Sequence, residues 1–276
     1  MSPESHKHRL GWIGLGRMGY AMAERLAMAK ADIRGYNRTR AKAEPLVEAG
    51  VRLVDRPSEL ADCDIVFTMV STAEDLKSVT FGDDGLFSSP GRKPHVLVEL
   101  STISAEASAE IRALAGAQAT EMLVVPVSGN DVVARAGRLS VMVSGPRSVF
   151  DMVAPYLLCF GSSVTYIGEG DVARVVKICH NLYLGIMFEG LAEVTLLAEK
   201  HGVSRHVFLD VINNSVLGST VLPLQDAGDR ESRLHGHVHQ YIDEKGSRSR
   251  AQSRQGTRSS ASGNAGGSGY CPGVHR

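Results

Sequence analysis

Lys177 and Asn181 stand four residues apart in a proline-free stretch, Asp171 to Lys200, that reads as one helix. That spacing puts both side chains on one helical face. An ammonium on a largely apolar helix is costly to bury, and desolvation makes it a better proton donor or acceptor near neutral pH. A second constellation is the run Gly14-Leu15-Gly16-Arg17-Met18-Gly19, placed after the apolar Leu10–Ile13 and before a helix-like run, Tyr20 to Ala29. In a strand, turn and helix of this kind the first glycine permits the turn. The second lets the backbone approach a pyrophosphate, and the third lets helix and strand pack closely. The N–H groups at the helix start then face phosphates, so the motif points to dinucleotide binding.

The next strand bears on which dinucleotide. Asp32 to Tyr36 reads as strand and ends in Asn37-Arg38-Thr39, with Arg40 and Lys42 close by. A site for NAD commonly has Asp or Glu at this strand end, to hold the ribose 2′-hydroxyl. A guanidinium suits a 2′-phosphate, so the run favours NADP over NAD. Two further segments end predicted strands: Met69-Val70-Ser71, and Ser101-Thr102 after Glu99-Leu100. Residues at the carboxyl ends of strands in an open α/β sheet point into the ligand crevice, so these line the cofactor. In Ser128-Gly129-Asn130, a serine hydroxyl and exposed glycine amides in a turn can hold a carboxylate.

Positioning these groups requires alternating elements. Further strands are expected at 65–69, 95–100, 121–125, 140–144 and 164–167, with helices between them, such as 105–115 and 146–157. Such alternation implies a parallel sheet covered by helices on both faces. The fold expected is therefore α/β: a Rossmann-type doubly wound parallel sheet over residues 1–168, then an all-α domain beginning near 169. That second domain holds the long helix and another at 204–213, and it reads as truncated near 222.

Bulk properties narrow the partners. The 276 residues carry 30 Lys and Arg against 30 Asp and Glu, and 43% of them are hydrophobic. A neutral chain without a basic stripe implies no nucleic-acid partner, and no apolar run of about 18 residues is apparent, which implies no membrane partner. Residues 1–9 are polar and read as no signal peptide. The cysteines, Cys63, Cys159, Cys179 and Cys271, show no metal-binding spacing and read as free thiols of a cytoplasmic protein.

In order and spacing, the segments around Gly14–Gly19, Ser101-Thr102, Ser128-Gly129 and Lys177–Asn181 resemble the β-hydroxyacid dehydrogenase family. That family includes 3-hydroxyisobutyrate dehydrogenases and glyoxylate/succinic semialdehyde reductases. The resemblance runs from about Leu10 to Leu222. It implies that Lys177 is the catalytic acid/base and that Asn181 orients the substrate. It also implies that Ser128 and Gly129 bind the substrate carboxylate and that Thr102 touches the cofactor. The reaction implied is hydride transfer between the nicotinamide and a small 3-hydroxy acid or its semialdehyde, in a homo-oligomer if the helical domain is intact. Asn130 stands where the family commonly has a second glycine, and His180 where it often has Asn. The alternatives are a catalytically impaired dinucleotide-binding paralogue and an imine reductase; a lysine at 177 argues against both.

From Pro223 to Arg276 the chain is rich in Ser, Gly, Arg and His, with no sustained apolar period. Such a segment cannot bury enough surface to offset its ordering entropy, and it reads as a disordered tail. The spacing of His235, His237 and His239 lacks the supporting groups of a metal site. A single-base shift of reading frame near Pro223 can restore a segment like the family's C-terminus, so the tail is expected to be aberrant.

Overall fold

The structure is a computed structural model that describes His8 through Gly218. The expectations for the first seven residues, for the tail from Pro223 and for its three histidines lie outside the described residues. The apolar runs form strands because β-branched and large apolar side chains on both faces leave no side for water. Leu10–Ile13 (β1), Ile65–Thr68 (β4) and Val96–Glu99 (β5) are buried along their whole length, as strands covered on both faces must be. Ile33–Tyr36 (β2), Arg52–Leu53 (β3) and Glu121–Val124 (β6) extend the sheet. The order β3-β2-β1-β4-β5-β6 is parallel throughout.

Alternation of side chains divides the core into two layers. Leu10, Trp12, Ile65 and Phe67 face one layer with Arg17–Met28 (α1) and Arg147–Leu157 (α6). Ile13, Val66 and Leu97 face the other with Ala73–Phe81 (α3) and Ala105–Gly116 (α4). A short helix, Pro45–Glu48 (α2), covers the β3 end through Leu46. Trp12 stacks on Phe67 with ring centres 5.2 Å apart, and Phe160 meets Trp12 edge-on at 5.8 Å. The strand order reverses between β1 and β4, which leaves a crevice at the carboxyl ends of those strands.

Two expectations are corrected. The sheet is not parallel to its end: Ser140–Ser144 (β8) runs antiparallel to β6 and to Val127–Ser128 (β7), and Ser163–Gly168 (β9) pairs parallel with β8. The β7–β8 connection carries only a five-residue helix, Asp131–Arg135 (α5), too short to cross a sheet face, so the chain folds straight back. Helix α1 begins at Arg17 rather than Tyr20, because Gly16 takes an extended N-cap conformation and Gly19 is already helical.

After β9 come Val172–Lys200 (α7) and Arg205–Asn213 (α8), the latter capped by Ser204. Two compact units divide the chain, one through Tyr183 and one from Leu184; the sheet and the first turns of α7 lie in the former. By length and composition alone α7 could cross a membrane, contrary to the expectation that no such run exists. Its first turn is nonetheless tied to the sheet. Arg174 is buried and donates to the buried Glu99 carboxylate at 2.7 Å. It also donates to the carbonyls of Ser101 and Ile103 at 3.3 and 3.1 Å and to Ser108 Oγ at 3.2 Å. Asp171 accepts from Ser108 Oγ at 2.9 Å and pairs with Arg112. The Ala173 amide donates to Ser144 Oγ at 3.2 Å.

Burial pushes the Glu99 carboxyl above its ordinary range, against the pull of Arg174 and Ser101. Removing the guanidinium leaves that carboxyl buried without its counter-charge. Arg174→Met is expected to destabilise the chain by about 3–5 kcal/mol at neutral pH. A raised carboxyl pKa means that the folded state binds more protons, so stability falls as pH rises and the deficit shrinks in mild acid. Urea unfolding of both chains at the two pH values checks this; a deficit independent of pH contradicts it.

Candidate active site

The β1–α1 turn is shaped by what a side chain would strike. Gly14 has φ +94°, and a Cβ there would sit 2.2 Å from the Met69 carbonyl oxygen of the neighbouring strand end. A Cβ on Gly19 would lie 2.0 Å from the Gly14 carbonyl oxygen, which is the close helix–strand approach the third glycine serves. A Cβ on Gly16 would meet nothing within 4 Å. The space there is open, and no side chain caps α1, so its first N–H groups are available to an anion. A glycine turn opening onto an uncapped helix at the switch point fits a dinucleotide's pyrophosphate.

Neighbouring strand ends hold this turn. Asn37, at the end of β2, accepts from the Leu15 amide at 2.9 Å and donates to the Thr39 carbonyl at 2.8 Å. Its side chain therefore braces the glycine turn, a role that its place in the sequence did not disclose. Arg38 is exposed and pairs with Asp75 at 3.1 Å; Arg40 pairs with Asp55 at 2.6 Å. Thr39 is exposed beside them. After β4, Met69 and Val70 are half-buried and Ser71 is exposed; the Val70 amide donates to Ser101 Oγ at 3.0 Å. The ends of β4 and β5 are thereby joined, with Thr102 exposed next to the joint. Met18 packs partly into the core, and the exposed Arg17 bonds Asp131 at 2.9 Å.

The second cluster lies between β7 and α7. Ser128 ends β7, and Gly129 follows with φ +134°, where a Cβ would lie 2.6 Å from Leu139 Cδ2. Asn130 caps α5, its Oδ1 accepting from the Val133 amide at 3.0 Å. That oxygen is engaged in holding the turn. Ser128 Oγ lies 3.3 Å from His180 Nε2, and His180 Nδ1 lies 3.3 Å from Asn181 Oδ1. The β7 turn and the inward face of α7 are thus joined through His180, which stands where the family often has Asn.

Lys177 lies on that helix one turn before Asn181. It is half-buried, and desolvation lowers the pKa of its ammonium below the ordinary lysine value. Arg174, one turn earlier again, was not singled out in the sequence. An arginine in the first turn of an apolar helix is the available signal, since such a charge is buried only with a partner. Among the described residues no cluster of His, Cys, Asp or Glu could hold a metal ion.

The fold and the glycine turn define a protein with an NAD(P)-binding Rossmann domain. Residues 9–168 match the family described as the NAD binding domain of 6-phosphogluconate dehydrogenase. The chain is 34% identical over 221 residues to the probable 3-hydroxyisobutyrate dehydrogenase-like 3, mitochondrial, of Arabidopsis thaliana, an alignment covering 79% of this chain and 68% of that one. It is 32% identical over 216 residues to the 3-hydroxyisobutyrate dehydrogenase of Pseudomonas aeruginosa, covering 78% and 72%. Among solved structures it resembles Psf3 in complex with NADP+ and 2-OPP, with a TM-score of 0.70 and 29% identity over 82% of this chain and 79% of that one. The chain belongs to the β-hydroxyacid dehydrogenase family of NAD(P)-dependent oxidoreductases.

The glycines separate binding from folding. Gly16→Val has room in the protein and is expected to leave the melting temperature within a few degrees while weakening NADP binding at least about tenfold, because its side chain occupies the open space beside the α1 amides. Gly19→Ala meets backbone and is expected to lower the melting temperature itself. Cofactor titration by fluorescence and thermal melts of both variants check the contrast; tight cofactor binding by Gly16→Val contradicts it.

Proposed function

We propose that this chain interconverts a small 3-hydroxy acid and its semialdehyde, with Lys177 as the proton donor and acceptor and NADP preferred over NAD. The observation that carries the reading is the half-buried Lys177 with its depressed ammonium, on the helix face that also presents His180 and Asn181 to Ser128. Bound NAD(P)H would supply the hydride chemistry above the glycine turn. Gly14, Gly16 and Gly19 shape its bed, and the Met69–Ser71 and Ser101-Thr102 segments flank it. In the reducing direction Lys177 gives a proton to the carbonyl oxygen; in the oxidising direction it removes the hydroxyl proton. Asn181 orients the reacting oxygen. Ser128, the Gly129 amide and the Asn130 turn receive the carboxylate. An idle paralogue has no use for a desolvated lysine, and imine reduction does not call for one at this place.

Arg38 carries the cofactor preference. Its pair with Asp75 is exposed and therefore worth little, so a doubly charged 2′-phosphate competes for the guanidinium at small cost. We extend the proposal to a homo-oligomer. Within the first unit, Ile178, Leu182 and Tyr183 are 52%, 54% and 65% exposed on α7, a patch of the kind that association covers.

Lys177→Ala is expected to lower turnover of succinic semialdehyde by about two to four orders of magnitude. In the unaltered chain, reduction needs the charged ammonium, so its rate falls as pH rises through the lowered lysine pKa, and oxidation of the hydroxy acid gains over the same span. Steady-state rates against pH, for both chains and in both directions, decide this; a variant as active as the parent refutes the role. Separately, Arg38→Ala is expected to weaken NADP binding by about 10- to 100-fold with little effect on NAD, read from paired titrations. Equal losses for both cofactors would remove Arg38 from the phosphate site.

A further inference from the structure

We propose that Asp75 is a specificity-determining residue for the cofactor: it holds Arg38 across the end of β1, admits a ribose 2′-hydroxyl into that pair and opposes a 2′-phosphate. The inference rests on the reading of Arg38 as the phosphate ligand and goes beyond it, because it places the balance between NADP and NAD on a carboxylate from another strand end. It does not depend on which substrate is turned over.

Topology fixes where the pair lies. In the parallel sheet β1 sits between β2 and β4. Arg38 comes just after β2, and Asp75 stands in the first turn of α3, after β4. Their bond at 3.1 Å therefore spans the carboxyl end of β1, where the glycine turn opens. Its two ends differ in freedom. The Arg38 side chain is 84% exposed and that of Asp75 31%. The Asp75 amide donates to Thr72 Oγ1 at 3.0 Å, and the next residue, Leu76, is buried in the core. A carboxylate in the first turn also faces the positive end of its own helix. Asp75 is thus the fixed partner and Arg38 the mobile one. Arg40 is matched in the same way by Asp55, at 2.6 Å. Each arginine of the basic run after β2 meets, in space, a carboxylate that the sequence places elsewhere.

The two cofactors ask different things of this pair. An NAD site commonly has an acid at the end of β2 to accept the ribose 2′-hydroxyl; here Asp75 brings one to Arg38 from α3. A hydroxyl has one donor and two lone pairs. It can give its proton to Asp75 and accept from Arg38, so it joins the pair without breaking it. An ionised 2′-phosphate has acceptors only, and its charge has the sign of Asp75. It must take the guanidinium away from the carboxylate. The exposed pair is worth little, so the phosphate wins the guanidinium, by a margin that Asp75 narrows. The chain then binds both cofactors, with NADP ahead by less than Arg38 alone would give.

The test uses the full chain at about 0.15 M salt, where distant exposed charges are screened. NADP and NAD are titrated calorimetrically against the unaltered chain and its variants, and thermal melts check that each variant folds. Asp75→Asn and Asp75→Ala are expected to bind NADP about two- to fivefold more tightly. Asp75→Ala, which removes the acceptor, is expected to bind NAD about two- to tenfold more weakly, whereas Asp75→Asn keeps an oxygen there and holds NAD close to the parent. In an Arg38→Ala background Asp75→Asn gives no gain for NADP, because no guanidinium is left to free. Glu74→Gln removes an equal charge from the same helical turn and is expected to leave the ratio of the two affinities unchanged. An unchanged ratio in both Asp75 variants, a gain that survives the loss of Arg38, or the same shift in Glu74→Gln each overturns the inference. Arg38→Ala alone separates it from the reading beneath it. A loss confined to NADP, beside Asp75 variants that match the parent, sinks Asp75 and keeps Arg38 at the phosphate; equal losses for both cofactors sink both.

Discussion

The buried ion pair between Arg174 and Glu99 is the constraint on which the site depends. Glu99 ends β5 inside the sheet, and Arg174 lies in the first turn of α7. Neither charge tolerates the interior alone, so the pair, with Ser101, Ile103 and Ser108 accepting further bonds from the guanidinium, permits one rotation of the helix. The consequence is geometric. Lys177 and Asn181 fall within about 60° of Arg174 around the helix axis and about 4.5 and 10.5 Å further along it. A rotation that exposed Arg174 would carry both of them away from the strand ends. Such pairs add little net stability against an apolar replacement, and fixing register is the role in which they are best attested.

The cofactor side of the crevice is governed by a steric constraint. Gly14 touches the end of β4 and Gly19 touches Gly14, so β1, α1 and β4 converge more closely than any side chain would allow. Asn37 then pins the middle of the turn from β2, and Ser101 pins the end of β4 from β5. Four strand ends are therefore coupled by two side-chain-to-backbone contacts and one glycine pair. Ser101 belongs to both halves, since its hydroxyl holds the β4 end and its carbonyl receives Arg174. The helix that carries the proposed proton donor and the rim of the proposed cofactor bed thus share a residue.

What the sequence disclosed follows from the range of the forces involved. Strand positions, the glycine turn and the long helix are local consequences of apolar period and backbone freedom, and they lie where the sequence put them. The partner of Glu99 is 75 residues away, and no local pattern announces such a pair. The strand β8 lies where it was expected, but its antiparallel direction was missed, because a connection containing the five-residue α5 gives no local sign of which way the chain returns. Asn37 and Asn130 are read as ligand groups from their neighbours, and the structure adds a second task for each, as turn brace and helix cap. Asparagine in a turn can serve either purpose, and only tertiary contacts decide between them.

Two cations share one face of α7, and their environments assign them different work. Arg174 donates through its two terminal nitrogens to a carboxylate, two carbonyls and a hydroxyl, and a guanidinium does not deprotonate in a protein, so it can orient but cannot exchange a proton. Lys177 is desolvated, which moves its ammonium toward the range where gain and loss of a proton both become accessible. Exchanging the two would defeat the arrangement. A lysine at 174 would lack the fork that reaches a carboxylate, two carbonyls and a hydroxyl together, and an arginine at 177 would hold its proton throughout. The division between a fixed charge that sets the register and a labile one a single turn beyond it is what makes proton transfer at position 177 the economical reading of this helix.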